Sequence, residues 1–325
     1  MRYYDILVTP TPAAGSTPGA PQRWTSLVNG KNDPGALNVQ FDFFEAVGSL
    51  PMGNSTVTIE GVPLDKLLQA QQFAGSQIAI RGGMSAGLPL ANPAQQGLIL
   101  QGQIFQSFGN WVGTEMTLDF VIVPSVYTIK NPANIVVNWK KGTSLASALA
   151  QTLSVAYPGY AQVINISPQY VLTHDVLHVV STFAQLASFV KSISASIRKP
   201  GVEIAVLRAN TIAAFDGTIQ TGGAVQLEFT DLIGQPTWID ANVMQFWTVM
   251  RADIQVGSYV LMPKGLQSLP GIVSTTVNAL PSSLKYKTSF QGKFLVQSVR
   301  QVGNFRDTNG TSWATLFNVV PQTVT

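Results

Sequence analysis

The sequence predicts a mainly β protein with a small α/β insert in its middle. Apolar and polar residues alternate in short runs near both ends of the chain, for example at residues 4–8 and 225–229, and a period of two is typical of strands that bury one face. Between residues 130 and 200 the apolar residues recur instead every three or four positions, which indicates helices. Two related antiparallel β-barrel domains are predicted at residues 1–125 and 201–325. A small α/β middle domain is predicted between them, at residues 126–200.

The sequence of the first part, residues 1–125, predicts an antiparallel barrel or sandwich with little helix. Its alternating runs are separated by segments rich in proline and glycine, which interrupt regular structure. The longest such segment, residues 10–21, is expected to be a loop. One helix is expected at residues 63–74, where Leu64, Leu67 and Leu68 share one face.

The middle part predicts two helices with clear ends. The first follows Gly142-Thr143-Ser144, carries leucines four residues apart, and stops at Tyr157-Pro158-Gly159. The second follows Thr182, which fits a capping box with Gln185, in which each side chain is expected to accept a hydrogen bond from the other residue's backbone N–H. Lys199-Pro200-Gly201 ends it.

The last part repeats landmarks of the first part in the same order. The matching segments are residues 75–80 and 257–262, 102–107 and 292–298, 109–110 and 303–304, and 113–124 and 310–321. Each Gly-Ser or Gly-Thr pair also has a local explanation, because such pairs form tight turns before strands. Convergent turn chemistry is therefore the alternative, but the shared order favours an internal duplication and two related barrels.

The composition favours a protein that hides much of its surface in an assembly. Only 11% of the 325 residues are charged, against about 25% in a typical domain, whereas 46% are hydrophobic, which excludes intrinsic disorder. Burying unpaired charge is costly, so a chain covered on several sides is expected to carry few charges. The absence of cysteine excludes disulfides, thiolate zinc sites and cysteine catalysis.

Charge and hydropathy argue against several other classes. The net charge of +3 is dispersed, without the basic run that marks binding to nucleic acid or to anionic membranes. No signal peptide is evident, and no segment approaches the roughly 20 apolar residues that cross a bilayer. We therefore expect a soluble protein made in the cytoplasm, with no membrane anchor.

The strongest enzymatic candidate is the segment His174-Asp175-Val176-Leu177-His178. It resembles the His-Glu-x-x-His motif, in which two histidines on one helix face bind zinc. Because the next helix starts only after Thr182, we expect residues 174–178 to be extended, which separates His174 and His178 by about 13 Å, too far for one ion. A metal-dependent hydrolase centred on His174 and His178, completed by a carboxylate, is the alternative to a protein with no catalytic, metal or cofactor site.

A second candidate is Trp139, which precedes Lys140-Lys141. An aromatic ring beside two lysines could stack on a base or a sugar. We favour simple packing at the surface, because such isolated pairs are common and no further nucleic-acid motif accompanies this one.

Three segments of the last part form a recognisable pattern: residues 232–236, residues 254–261, and residues 294–304 followed by Gly310, Trp313 and Thr315. These motifs resemble those of the baseplate hub proteins of contractile-tailed bacteriophages, the Mu-like and T4-like hub family. In that family a strand leads to a Gly-Asp or Gly-Asn turn and then to a Trp-x-Thr strand. Residues 75–124 look like the first barrel of that family, and the resemblance is weakest over residues 10–56. Gln301 departs from the pattern, since members often carry histidine there.

The resemblance implies a structural, non-enzymatic hub without cofactors. Its chains would form a homotrimer in which two tube-like barrels per chain make a pseudo-six-fold ring between the six-fold tail tube and the three-fold, cell-puncturing spike. The lumen would pass the tape-measure protein and DNA without sequence-specific binding, and the middle domain would contact other baseplate proteins. The implied location is the virion, after assembly in the host cytoplasm. Another tail-tube or distal-tail adaptor is the alternative, although such proteins generally need one barrel per chain.

Overall fold

Strand pairing runs through one large sheet that contains residues from both ends of the chain. The computed structural model describes residues 1–11, 19–50, 55–85, 92–124, 134–218, 223–240, 242–263, 290 and 292–322. Within these ranges 13 strands form the large sheet, and the other strands form sheets of three, two and two strands. Most of the loop predicted at residues 10–21 and the boundary predicted after residue 125 lie outside the described residues.

The first half of the large sheet builds the first barrel. The elements are β1 (Arg2–Thr9), β2 (Gln22–Thr25), β3 (Leu27–Val28), β4 (Lys31–Asn32), β5 (Asn38–Ala46), β6 (Ser55–Glu60), α1 (Leu64–Leu68), β7 (Gln77–Met84), β8 (Gly97–Val112) and β9 (Glu115–Val123). The sheet order is β2-β1-β7-β8-β9-β6-β5, with antiparallel neighbours, and β3 pairs with β4. Alternate side chains such as Val39, Phe41 and Phe43 fill one core, as the period of two predicts.

The helix predicted at residues 63–74 is divided into two short helices. Helix α1 is followed by a 3-10 helix at Ala70–Phe73. The predicted apolar face is wrong, because Leu68 is 78% exposed, and Leu67 is buried together with Ala70 and Phe73. This spacing of three residues matches the three residues per turn of a 3-10 helix.

The middle domain contains both predicted helices and two small sheets. Its elements are β10 (Ile135–Trp139), α2 (Leu145–Ala156), β11 (Ala161–Asn165), β12 (Val176–Val180), α3 (Phe183–Ile197), β13 (Glu203–Leu207) and β14 (Thr211–Phe215). Strand β10 pairs with β12, and β14 lies between β11, to which it is parallel, and β13, to which it is antiparallel. Strands β13 and β14 follow residue 200, but they bury Ile204 and Ile212 in the same core as α2 and α3.

Both helices start where their capping signals predict. Ser144 Oγ accepts a hydrogen bond from the N–H of Ser147 at 3.2 Å, and Thr182 Oγ1 accepts one from the N–H of Gln185 at 3.2 Å. The second half of the predicted capping box is displaced by one residue, because Gln185 Oε1 accepts from the N–H of Ser181 at 2.8 Å rather than from Thr182. These bonds satisfy N–H groups that the helix itself leaves unpaired.

The second barrel has the strand order of the first. Its strands are β15 (Val225–Gln226), β16 (Thr237–Asp240), β17 (Val243–Val249), β18 (Tyr259–Leu261), β19 (Lys293–Asn304) and β20 (Trp313–Pro321). The order β16-β17-β20-β19-β18 repeats β5-β6-β9-β8-β7, and all of these neighbours are antiparallel. The next strand differs from the antiparallel prediction, because β15 is parallel to β18 whereas β1 is antiparallel to β7. The prediction of two related barrels is confirmed at this level.

The turns before β7 and β18 make the same hydrogen bonds. In the Gly75-Ser76 turn, the glycine N–H donates to Ile104 O at 2.7 Å and the Ile104 N–H donates to Ser76 O at 2.9 Å. In the Gly257-Ser258 turn, the glycine N–H donates to Val296 O at 2.9 Å and the Val296 N–H donates to Ser258 O at 2.9 Å. Both glycines have positive φ, 85° and 82°, a conformation that glycine adopts without steric cost. Ile104 and Val296 are therefore equivalent positions of the two barrels.

The later sequence matches are shifted in register. A β-bulge follows the shared turn contact in each barrel, at Phe105 in β8 and at Gln297 in β19. Counting along the strands from these bulges makes Gly303 the equivalent of Trp111. The predicted match of Gly303 with Gly109 is therefore wrong by two residues.

One strand pair joins the two barrels into a continuous sheet. Strands β19 and β5 are antiparallel, with Ser298 opposite Ala46 and Asn304 opposite Gln40. The eight strands β16-β17-β20-β19-β5-β6-β9-β8 therefore form one surface made of two four-stranded units. Among the described helices, none is long and apolar enough to span a membrane.

Candidate functional surface

The continuous sheet carries a polar face, which is the side of its strands that points away from the barrel cores. The alternation that buries Val39 and Phe41 turns the residues between them to this side. The polar face consists of Asn38, Gln40, Asp42, Thr56, Thr58, Glu60, Asn110, Glu115, Thr117, Asp119, Gln245, Arg300, Asn304 and Asn318. None of these residues was predicted from the sequence to belong to a functional surface, although their alternation with buried apolar residues was the available signal.

Carboxylates organise the first half of the polar face. Glu60 on β6 accepts hydrogen bonds from the amides of Asn38, at 2.9 Å, and Gln40 on the neighbouring strand β5. Asp119 on β9 accepts one from the Asn110 amide on β8 at 2.6 Å, and it also accepts from the hydroxyl groups of Thr58 and Thr117. These cross-strand bonds fix the orientation of the carboxylates.

An ion pair crosses the junction between the two halves. Arg300 on β19 contacts Asp42 on β5 through two nearly parallel hydrogen bonds, of 2.8 Å from Nε and 2.5 Å from Nη2. The hydrogen bonds to Asp42 raise the pKa of Arg300 above its ordinary value. The pair lies in an open groove of about 600 Å³ between the polar side chains of β5, β6 and β19. Both side chains are about half exposed, so the pair orders the junction more than it stabilises it.

The polar face has an acidic balance. From β17 across to the second half of β8, and with β19 taken from its bulge onward, the described residues that point to this side include four carboxylates, Asp42, Glu60, Glu115 and Asp119, and one guanidinium, that of Arg300. The rest of this stretch carries amides, hydroxyl groups and aliphatic side chains, and the aromatic rings of Phe44, Phe108 and Trp247 point to the same side. An excess of carboxylates over cations gives such a surface a negative potential.

Arg208 holds the three parts of the chain together. It precedes the turn between β13 and β14, in which Ala209 and Asn210 have φ values of 58° and 50°, as a two-residue hairpin turn of the I′ type requires. Its side chain, only 2% exposed, contacts Glu45 of the first barrel at 2.8 Å. It also donates to Leu98 O at 3.0 Å and to Ala252 O, next to the second barrel, at 2.9 Å.

A second buried network surrounds Gln301, the residue that departs from the family pattern. The Gln301 amide nitrogen donates to Arg251 O at 2.9 Å, and its oxygen accepts from the Thr315 hydroxyl at 2.7 Å. The Arg251 guanidinium is buried between Asp253, at 2.6 Å, and Asp231, at 3.3 Å. A neutral imidazole also has one donor and one acceptor, so histidine and glutamine can fill the same position. Gln301 is thus part of the barrel interior.

The two histidines do not lie on one helix face. His178 is on β12 and stacks on Phe189, with ring centroids 4.6 Å apart, while His174 precedes the strand and lies 3.1 Å from Thr173 Oγ1. The prediction that residues 174–178 lie outside a helix is confirmed. Asp175 accepts hydrogen bonds from the Lys141 N–H and the Lys140 ammonium, which hold its pKa below the ordinary value. Within the described ranges, no group of three or more His, Cys, Asp or Glu side chains could hold a metal ion.

Trp139 differs from both interpretations of the sequence. It is buried on β10, where its indole N–H donates to Thr152 Oγ1 on α2 at 2.9 Å. Its ring packs against Phe189 of α3. Neither stacking on a nucleotide nor surface packing describes this residue, because it joins a strand to two helices in the core of the middle domain.

These features define the fold: two related barrels joined edge to edge, with an α/β domain between them in sequence. No protein-family model matches the sequence, and no curated protein matches it. Solved structures do match. The 43 kDa tail protein of prophage MuSo2 from Shewanella oneidensis has a TM-score of 0.54 at 8% identity, with 98% of this chain and 97% of that chain covered.

Two further structures have the same fold. The tail protein from Neisseria meningitidis MC58 has a TM-score of 0.52 at 10% identity, with 99% of this chain and 97% of that chain covered. The E. coli c3393 protein is a component of the type VI secretion system with structural similarity to the T4 bacteriophage tail proteins gp27 and gp5. It has a TM-score of 0.52 at 10% identity, with 88% of this chain and 74% of that chain covered. The fold that the resemblance implies is therefore confirmed, since these tail proteins share it.

Proposed function

We propose that this protein is the structural hub of a contractile phage tail baseplate and that it acts without catalysis or cofactors. The observation that carries the proposal is the repetition of one four-stranded unit, β5-β6-β9-β8, as β16-β17-β20-β19 in the same continuous sheet. A chain with two quasi-equivalent units is suited to matching two symmetries. Solved tail proteins with the same fold support this assignment.

Three copies of the chain would supply six such units. A ring of three chains then presents a pseudo-six-fold end to a tail tube and keeps true three-fold symmetry toward a spike. The middle domain, predicted at residues 126–200 and extended by β13 and β14, which share its core, would face neighbouring baseplate proteins. Two units per chain favour the hub over a tail-tube or distal-tail adaptor, which generally needs one.

We assign the polar face to the wall of the conduit. The four carboxylates and one guanidinium of this face would repel the phosphates of passing DNA and prevent adhesion to the wall. Its amides and hydroxyl groups would hydrate the path of the tape-measure protein. A conduit of this kind works best when it binds nothing tightly.

The alternative of a metal-dependent hydrolase at His174 and His178 has no support in the geometry. His178 stacks on Phe189, and the two histidines lie on a strand and the turn before it. Zinc analysis of protein purified without chelators tests the alternative directly, and stoichiometric zinc would revive it.

The test of the hub proposal is the oligomeric state. Light scattering coupled to size-exclusion chromatography should give three times the chain mass of 34.8 kDa, and negative-stain images should show rings with a central hole. A monomer at micromolar concentration, with no ring in the images, would contradict the proposal.

A further inference from the structure

We propose that an ionic layer buried between the two barrel cores sets the angle between the barrels and thereby allows the ring to close. The ionic layer consists of the side chains of Glu45, Arg208, Asp231, Arg251 and Asp253. The inference deepens the hub function and rests on the ring stated above. It gives these residues a positioning role in addition to their part in stability.

The ionic layer lies where the chain passes from one barrel core to the other. At the end of β5, Glu45 comes between Phe43 of the first core and Val47 of the second core. The segment after β17 makes the same passage, since Ala252 packs in the first core and Ile254 in the second. The two apolar cores therefore meet at a layer of charged side chains.

Hydrogen bonds of the ionic layer connect the two barrels. Arg208 contacts Glu45 of the first barrel at 2.8 Å and donates to Ala252 O, next to the second barrel, at 2.9 Å. Asp231, between β15 and β16, accepts from the amide of Gln95, between β7 and β8, at 2.9 Å. Each of these bonds would lengthen or break if one barrel turned relative to the other.

The strand pair that joins the barrels does not fix their angle by itself. Strands β19 and β5 form one antiparallel ladder, and paired strands twist relative to each other by about 10–35° in different sheets. Contacts between apolar side chains have no preferred direction. Hydrogen bonds of buried charges do, and breaking one leaves a buried group unpaired at a large cost. The ionic layer therefore favours one angle over its neighbours.

The concentration of charge also favours a positioning role. Only 11% of the residues are charged, yet the ionic layer brings two arginines, 2% and 3% exposed, together with three carboxylates. Apolar residues of similar volume often stabilise a core as well as a buried ion pair does, whereas buried polar groups can specify a single arrangement. A chain whose two barrels must occupy defined places in a ring needs that specificity.

The distance between two spin labels tests the barrel angle directly, because the chain has no cysteine that would also be labelled. Glu115→Cys in β9 and Asn242→Cys before β17 place one label on each barrel at exposed positions. With labelled chains diluted in unlabelled protein, double electron–electron resonance should give one narrow distance distribution. Glu45→Met/Arg208→Met should broaden this distribution and lower the fraction of closed rings in negative-stain images.

A second variant, Arg208→Lys, keeps the positive charge. Lysine cannot reproduce the forked contacts of arginine with Glu45 and two carbonyl groups, so this variant should also broaden the distance distribution. The control is Asp5→Met/Arg23→Met, which removes a similar forked pair within the first barrel. It should leave the distances and the ring fraction as in the wild type.

The outcomes separate this inference from the hub function. An ionic layer that only stabilises the protein would lower the urea midpoint of the Arg208 variants and leave their distances in native buffer unchanged. Narrow distributions in the Arg208 variants would therefore overturn the inference, while wild-type rings would still support the hub. Broad distributions with a normal ring fraction would show that the angle is not needed for closure, which also overturns it. If the wild type forms no rings, the hub function fails, and the inferred purpose of the angle fails with it.

Discussion

At the scale of single residues, the buried cation Arg208 is the most consequential side chain. It pairs with Glu45 in the first barrel and with carbonyl groups next to both barrels, while its own backbone belongs to the middle domain. Removing one partner of a buried ion pair leaves the other charge unpaired, which typically costs about 3–5 kcal/mol. We expect Arg208→Met to lower the free energy of unfolding in urea by about this amount.

The control for the Arg208–Glu45 pair is the Arg300–Asp42 pair, which has a similar geometry but is more exposed to solvent. Arg300 and Asp42 are about half exposed, and pairs of that kind contribute about 0–1 kcal/mol. Arg300→Met should therefore change stability by less than about 1 kcal/mol. Adding Glu45→Met to Arg208→Met should recover part of the loss, because an apolar pair replaces the lone carboxylate. Equal losses for Arg208→Met and Arg300→Met would contradict this account of the junction.

At the scale of elements, helix α3 depends on its cap. Thr182 Oγ1 accepts from the N–H of Gln185, and loss of such a cap costs about 1 kcal/mol. Thr182→Ala should lower stability by that amount and speed amide exchange in the first turn of α3, whereas Thr182→Ser should keep both near the wild-type values. Unchanged exchange in Thr182→Ala would show that the bond contributes nothing to the helix start.

Elements whose signals are local could be predicted, and those that depend on distant partners could not. Caps at Ser144 and Thr182 and stops at proline and glycine depend on bonds within four residues, so the sequence predicts α2 and α3 well. The pairing of β14 with β11 and of β19 with β5 joins segments separated by about 50 and 260 residues. Alternation predicts that each segment is a strand but does not specify its neighbour.

The same distinction explains the errors at individual residues. Trp139 next to two lysines has the local pattern of a surface residue, yet helix α2 covers it and supplies a hydrogen-bond partner. The polar face was missed because it combines residues from strands of both barrels, each with an ordinary amphipathic pattern. Its acidic balance exists only once β19 lies beside β5.

At the scale of the whole molecule, three cores are linked by shared strands and by buried charge. Each core contains at least one buried tyrosine: Tyr4 in the first barrel, Tyr157 and Tyr170 in the middle domain, and Tyr259 in the second barrel. Burial raises the pKa of Tyr4, Tyr157 and Tyr259 to about 12, because the phenolate loses its hydration, and it raises the pKa of Tyr170 in the same direction. Ionisation of these residues therefore reports on all three cores.

The sign of the pH effect follows from these pKa values. In the unfolded chain tyrosine ionises near pH 10, so the folded state binds these protons more tightly between about pH 10 and 12. Their contribution to stability is complete below pH 10 and is lost as the pH rises toward 12. We expect the free energy of unfolding in urea to fall over this interval, by up to about 2–3 kcal/mol for each tyrosine.

Single Tyr→Phe variants test whether the three cores unfold together. Strand β19 pairs with β5, and Arg208 bridges all three parts, so we expect one cooperative transition. Tyr157→Phe should then reduce the alkaline loss of protection from hydrogen exchange in the barrels as well as in the middle domain. Tyr259→Phe is the matched control at pH 8. The buried hydroxyl group of Tyr259 has no hydrogen-bond partner among the described residues, so removing it should not lower the free energy of unfolding at this pH. A response of Tyr157→Phe confined to the middle domain would show that the core of that domain opens independently of the sheet that joins the barrels.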